Sequence, residues 1–231
     1  MDRSRLEAFS DGVFAVAITL LVLNLTVAGP GHGELIHQLS SHWPSFAAYL
    51  ISFFVIGIIW VNHHVLVKTF VVVNRLLLFL NLVLLLFVVL IPFATGLVAE
   101  YMSAYLAHTS GGGDVRLAMA LYSTVFLGMS LGFAGIFEWT LHGERVANPV
   151  PPERHWAARV RFTGGSLAYV LALVVALFNA IAAFVIIALI AVYYIFENTP
   201  ASSAAHGAPG EPPAPGSPDH DHDHDHDAPG T

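Results

Sequence analysis

Two clusters of polar side chains interrupt otherwise apolar stretches of this chain, and both could carry chemistry. The first is Arg5, Ser10 and Asp11, set within two helical turns before a run that carries no charge from Gly12 to Leu23. The second is Trp60-Val61-Asn62-His63-His64, which follows a segment that is apolar up to Ile59. A carboxylate at membrane depth is costly unless paired or hydrated. Asp11 therefore either sits at the interface or is held by a partner beside a water-filled path. Arg75 and Asn81 open a third apolar run. At the same depth, Arg5, Asp11, Asn62, His63, His64, Arg75 and Asn81 read as one network at the inner mouth of a bundle. His63 and His64 are adjacent and point about 100° apart on a helix, whereas a two-histidine metal site prefers an i, i+4 spacing. Hydrogen bonds to neighbouring helices, with Trp60 and Asn62, are the expected role.

The elements that must position these groups are helices. Of 231 residues, 56% are hydrophobic and 11% charged, with a mean hydropathy of +0.69. That composition belongs to a polytopic membrane protein. The first helix is expected from Arg5 to Val27, ended by Gly29-Pro30-Gly31. Residues 32–42 read as a short polar connection with His32, His37 and His42. Further helices are expected over about 43–67, 74–97 or beyond, and 117–141, with a kink at Pro92. Gly128, Ser130, Gly132, Ala134 and Gly135 suit close helix contact. The apolar block 162–196 is too long for one span of ~20 residues. A tight turn near Asn179 divides it, making six spans in all. The domain reading is a six-helix unit over 1–197 and a disordered tail over 198–231, rich in Pro, Ala, Gly, His and Asp.

Composition also excludes. There is no cysteine, so disulfides and thiol chemistry are absent. The net charge of −7 resides mostly in the tail, which holds Glu211, five aspartates and no Lys or Arg. Nothing points to nucleic acid. No nucleophile elbow, phosphate-binding glycine loop or pair of catalytic carboxylates is present, and neither is a Thr-Val-Gly-Tyr-Gly filter. The chain reads as no enzyme and needs no cofactor. In the tail, His220, His222, His224 and His226 alternate with aspartates. That pattern suits weak binding of a divalent metal in many geometries, or simply a solvated low-complexity segment.

The order and spacing of Arg5-x-x-x-Phe9-Ser10-Asp11, Trp60-x-x-His63-His64, Arg75, Asn81-Leu82 and Pro92-Phe93-x-Thr95 resemble the transmembrane-protein-175 family, the lysosomal potassium channel and its bacterial relatives. The likeness is detailed over residues 3–101. It implies an all-α channel of six-helix subunits assembled as a homotetramer, with no pore loop and with the first helix lining the pore. It implies permeant potassium ions, weakly preferred over sodium. Carried over by offset from the motif, the pore face is Val16, Thr19 and Leu23: two apolar rings with a hydroxyl layer between them. Val16 is smaller than the Ile or Leu usual in the family, which widens that ring or moves the gate toward Leu23. Periodicity alone does not select this stripe, because the helix is apolar all round; Thr19 on its own would bond back to a carbonyl one turn earlier. The rival reading is a secondary transporter or metal-handling protein that uses the His/Asp tail, but no internal repeat is visible.

Lys and Arg set the orientation. With the N-terminus inside, Arg3, Arg5, Lys68, Arg75, Arg145, Arg154, Arg159 and Arg161 lie on the cytoplasmic side and Arg116 alone lies outside. The expectation is a multi-pass protein of the inner (plasma) membrane with both termini cytoplasmic. A reporter fused after Thr231 should therefore be active only inside the cell; activity only on the outer side would reverse the topology.

Overall fold

With long uncharged runs and no water to satisfy the backbone, helix is the conformation open to most of this chain. The computed structural model describes residues 2–26, 29–31, 33–142, 145–147 and 152–196, and is helical throughout apart from its turns. Seven α-helices occur among these residues: α1 Arg3–Leu20, α2 Leu35–Ser41, α3 Trp43–Lys68, α4 Arg75–Leu106, α5 Gly112–Thr140, α6 Pro152–Ala176 and α7 Ala180–Phe196. The tail over 198–231, with its histidine repeat, lies outside the described residues.

α1 with its continuation to Asn24, α3, α4 and α5 are long and apolar enough to cross a membrane. The last apolar block divides where the sequence predicts. Asn179 caps α7, its side-chain oxygen accepting from the Ala182 N–H at 3.0 Å. The apolar part of α6 (Gly164–Ala176) and α7 are shorter than the first four.

Two boundaries differ from expectation. α1 stops at Leu20 and tightens into a 3₁₀ turn over Leu21–Asn24 rather than running to Val27. The cause is a clasp: Asn24 Nδ2 donates to the Pro92 carbonyl at 2.8 Å. Gly96 leaves room for it, since a Cβ there would lie 2.8 Å from Asn24 Oδ1. The polar connection also contains a helix, α2. Buried Gln38 ties it down, donating to the Gly29 and Gly33 carbonyls, each at 3.0 Å, and accepting from the Gly29 N–H. Gly29, Gly31 and Gly33 all have positive φ, which glycine adopts without strain.

α4 is the spine. α1, α3 and α5 all pack on it, and α6 and α7 pack on α5 and on each other. Its buried face carries Leu77, Leu84, Val88 and Ile91. Polar groups in this core satisfy one another: the Ser52 hydroxyl lies 2.7 Å from Thr95 Oγ1 and 2.8 Å from the Tyr122 hydroxyl, and Thr95 donates to the Ile91 carbonyl. The basic residues gather at one end. Arg3 donates to the Lys68 carbonyl, a bridge joins Phe70 to Val146 beside Arg145, and Arg159 pairs with Glu138.

Small residues on α5 permit close approach to α4. A Cβ at Gly132 would lie 2.9 Å from Leu84 Cα, which is backbone and cannot turn aside. At Gly135 the nearest atom is the tip of Leu80, at 3.1 Å. Gly132→Ala should therefore destabilise by about 1–3 kcal/mol through overpacking. Gly135→Ala should be near neutral, because Leu80 can rotate and alanine favours helix by up to about 1 kcal/mol. Thermal unfolding in detergent measures both, and equal effects would contradict this account of the α4–α5 contact.

Candidate functional site

α1 has two faces. Leu6, Ser10, Phe14, Ala17 and Leu21 are buried against α3 and α4. Steps of three and four residues keep them on one stripe. The opposite stripe holds Ala8, Gly12, Val16, Thr19 and Leu23, all exposed in the single chain. Val16 is 55% exposed and Leu23 69%. The Thr19 hydroxyl donates to the Val16 carbonyl at 2.9 Å, so its proton is committed to the backbone and its oxygen lone pairs remain on the uncovered side.

The rotation of α1 is set by a buried polar chain. Ser10 Oγ donates to the Leu6 carbonyl at 2.9 Å and accepts from Asn81 Nδ2 at 3.0 Å. Asn81 Oδ1 in turn lies 2.8 Å from His63 Nε2. An amide oxygen only accepts, so His63 must carry its proton on Nε2. All three side chains are at most 1% exposed. The His63 ring also packs on Phe14, with centroids 5.5 Å apart. One residue from each of α1, α3 and α4 thus meets at one point.

Beside it lies a second, wetter cluster. Trp60 Nε1 donates to Asp11 Oδ1 at 2.9 Å. His64 Nδ1 lies 3.6 Å from Asp11 Oδ2 and 3.4 Å from Glu7 Oε1. The single network expected from the sequence is therefore two neighbouring groups, Ser10–Asn81–His63 and Asp11–Trp60–His64–Glu7. Glu7 was not among the expected residues; its signal was the i, i+4 spacing to Asp11, which puts both carboxylates on one helical face.

Three expected members lie elsewhere. Arg5 is exposed and its side chain makes no hydrogen bond or ion pair among the described residues, so no Arg5–Asp11 pair forms within the chain. Six residues turn a helix by about 240°, which places Arg5 well away from the Asp11 face. It shares the uncovered stripe of Gly12, Val16 and Thr19 instead. Arg75 stacks over Phe79, one turn along its own helix, at 5.6 Å. Asn62, turned from His63 by one helical step, lines a cavity of about 60 Å³ with Ser130, Tyr169 and Tyr194 between α3 and the α5–α7 layer. Phe9 of the motif is 50% exposed.

Comparison with known proteins places the chain among ion channels. Residues 5–92 match the family described as endosomal/lysosomal potassium channel TMEM175. A potassium channel of Streptomyces collinus is 40% identical over 212 residues, covering 90% of this chain and 98% of that protein. A potassium channel of Chamaesiphon minutus is 37% identical over 150 residues, 63% of this chain and 69% of that protein. The crystal structure of a lysosomal potassium-selective channel TMEM175 homologue from Chamaesiphon minutus superposes with a TM-score of 0.70 at 31% identity, covering 84% of this chain and 96% of that one.

Removing the central amide tests the polar chain. Asn81→Leu removes a donor to Ser10, whose hydroxyl keeps its bond to the Leu6 carbonyl, and leaves the His63 N–H without an acceptor in the core, which costs about 1–3 kcal/mol. Arg5→Ala should shift the stability of the single-chain fold by no more than about 0.5 kcal/mol, as for a surface position. Thermal melting of the two variants checks the contrast. Equal losses would mean that Arg5 has a partner the chain's own geometry does not supply.

Proposed function

The chain belongs to the TMEM175 family, a family of ion channels rather than enzymes, and from that premise we propose that it is a potassium-conducting cation channel of weak selectivity. The observation that carries this reading is the uncovered stripe of α1: apolar Val16 and Leu23 flank a threonine whose oxygen faces outward. The relatives from Streptomyces collinus and Chamaesiphon minutus, both named potassium channels, support potassium as the permeant ion. Symmetric copies of the chain are the simplest partner for this face. In the proposed homotetramer, four α1 helices surround the axis and six spans per subunit, α6 and α7 included, hold them in a plasma membrane with both termini inside. The basic residues gathered at one end of the bundle support that orientation.

The proposed conduction mechanism follows from these groups. Rings of Val16 and Leu23 strip an ion of its hydration, and water tends to leave a narrow apolar ring. Four Thr19 oxygens between them replace part of that hydration. The buried chain of Ser10, Asn81 and His63 holds each α1 at the rotation that presents this stripe.

Reconstitution in liposomes tests the proposal. Val16→Asn or Leu23→Asn should wet the constriction and raise basal potassium flux severalfold. Thr19→Val, similar in shape, should preserve assembly and lower the potassium-over-sodium preference. Unchanged flux in correctly assembled Val16→Asn and Leu23→Asn proteins would remove α1 from the pore.

A further inference from the structure

We propose that Glu7, Asp11 and His64 form a binding site for one borderline transition-metal dication, of which Zn²⁺ is the representative. One ligand atom from each lies within 4.8 Å of the others. His64 Nδ1 is buried and makes no hydrogen bond, although carboxylate oxygens stand 3.4 and 3.6 Å away. Those separations match a metal site better than a hydrogen bond. Bonds of about 2.0–2.1 Å from zinc to nitrogen and oxygen, at tetrahedral angles, put ligand atoms about 3.3–3.4 Å apart.

The surroundings are arranged as a metal site requires. Trp60 Nε1 holds Asp11 Oδ1 at 2.9 Å, which leaves Oδ2 turned toward His64. Such an outer partner orients a ligating carboxylate. Glu7 and Asp11 both come from α1 and His64 from α3, so an ion here ties two helices together. Two carboxylates offset the charge of a dication, and water completes a four-ligand set. Imidazole selects zinc, nickel or cobalt over the hard, oxygen-seeking magnesium and calcium. The site is complete within one chain, so it stands or falls independently of how chains assemble or what they conduct. It is also separate from the tail histidines, which lie outside the described residues.

The test uses the full-length chain in detergent, with tail binding common to every sample. Thermal unfolding is followed while Zn²⁺ is titrated, because a ligand held by the folded bundle raises its melting temperature. Wild type should show a zinc-dependent rise that Mg²⁺ does not reproduce. Glu7→Gln and His64→Gln should each weaken the zinc midpoint by about tenfold or more. The Glu7 side chain makes no hydrogen bond among the described residues, so Glu7→Gln decides the matter even where His64→Gln fails to fold. No rise in wild type, an equal rise with Mg²⁺, or an unchanged midpoint in Glu7→Gln would each overturn the site.

Discussion

The structure depends on one buried hydrogen-bond chain, from the Leu6 carbonyl through Ser10 and Asn81 to His63. In a bilayer, apolar packing does not tell one rotation of a helix from another, because lipid and protein interior are equally apolar. α1 is apolar on nearly every side, so dispersion alone leaves its rotation loosely defined. A polar side chain facing hydrocarbon has no partner, and that asymmetry removes the ambiguity. Ser10 must face Asn81, so Val16, Thr19 and Leu23 must face away.

A second constraint acts at the far end of the same helix. Proline at position 92 donates nothing to its own helix, and the carbonyl of Pro92 accepts from Asn24. Pinned at Ser10 and at Asn24, α1 is fixed in rotation at one end and in height at the other. Its last turn tightens to reach the clasp, and Leu23 emerges on the uncovered side.

Much of this was legible in the sequence. Four long helices, the division at Asn179 and the glycine contacts of α5 follow from uncharged length, capping chemistry and small-residue spacing. The pairing of polar groups was legible only in part. Ser10, Asp11, Trp60, His63, His64 and Asn81 do converge, but they divide into a dry group and a wet one according to helical angle. Arg5 and Arg75 were grouped by depth, and depth ignores which way a side chain points. Glu7 went unnoticed because an acidic residue near a helix start reads as solvated. The early end of α1 was hidden because its cause, the Pro92 carbonyl, lies 68 residues away.

α4 is long for a membrane span, and the lipid must answer for that. α4 has 32 residues. At about 1.5 Å per residue that is roughly 48 Å, against a hydrocarbon core near 30 Å. α4 therefore exceeds the core by about three turns and must tilt or project from it. Hydrophobic mismatch of this kind costs fractions of a kcal/mol per Å. Membrane thickness thereby becomes a physical variable of the protein: a thicker bilayer accommodates α4 with less tilt.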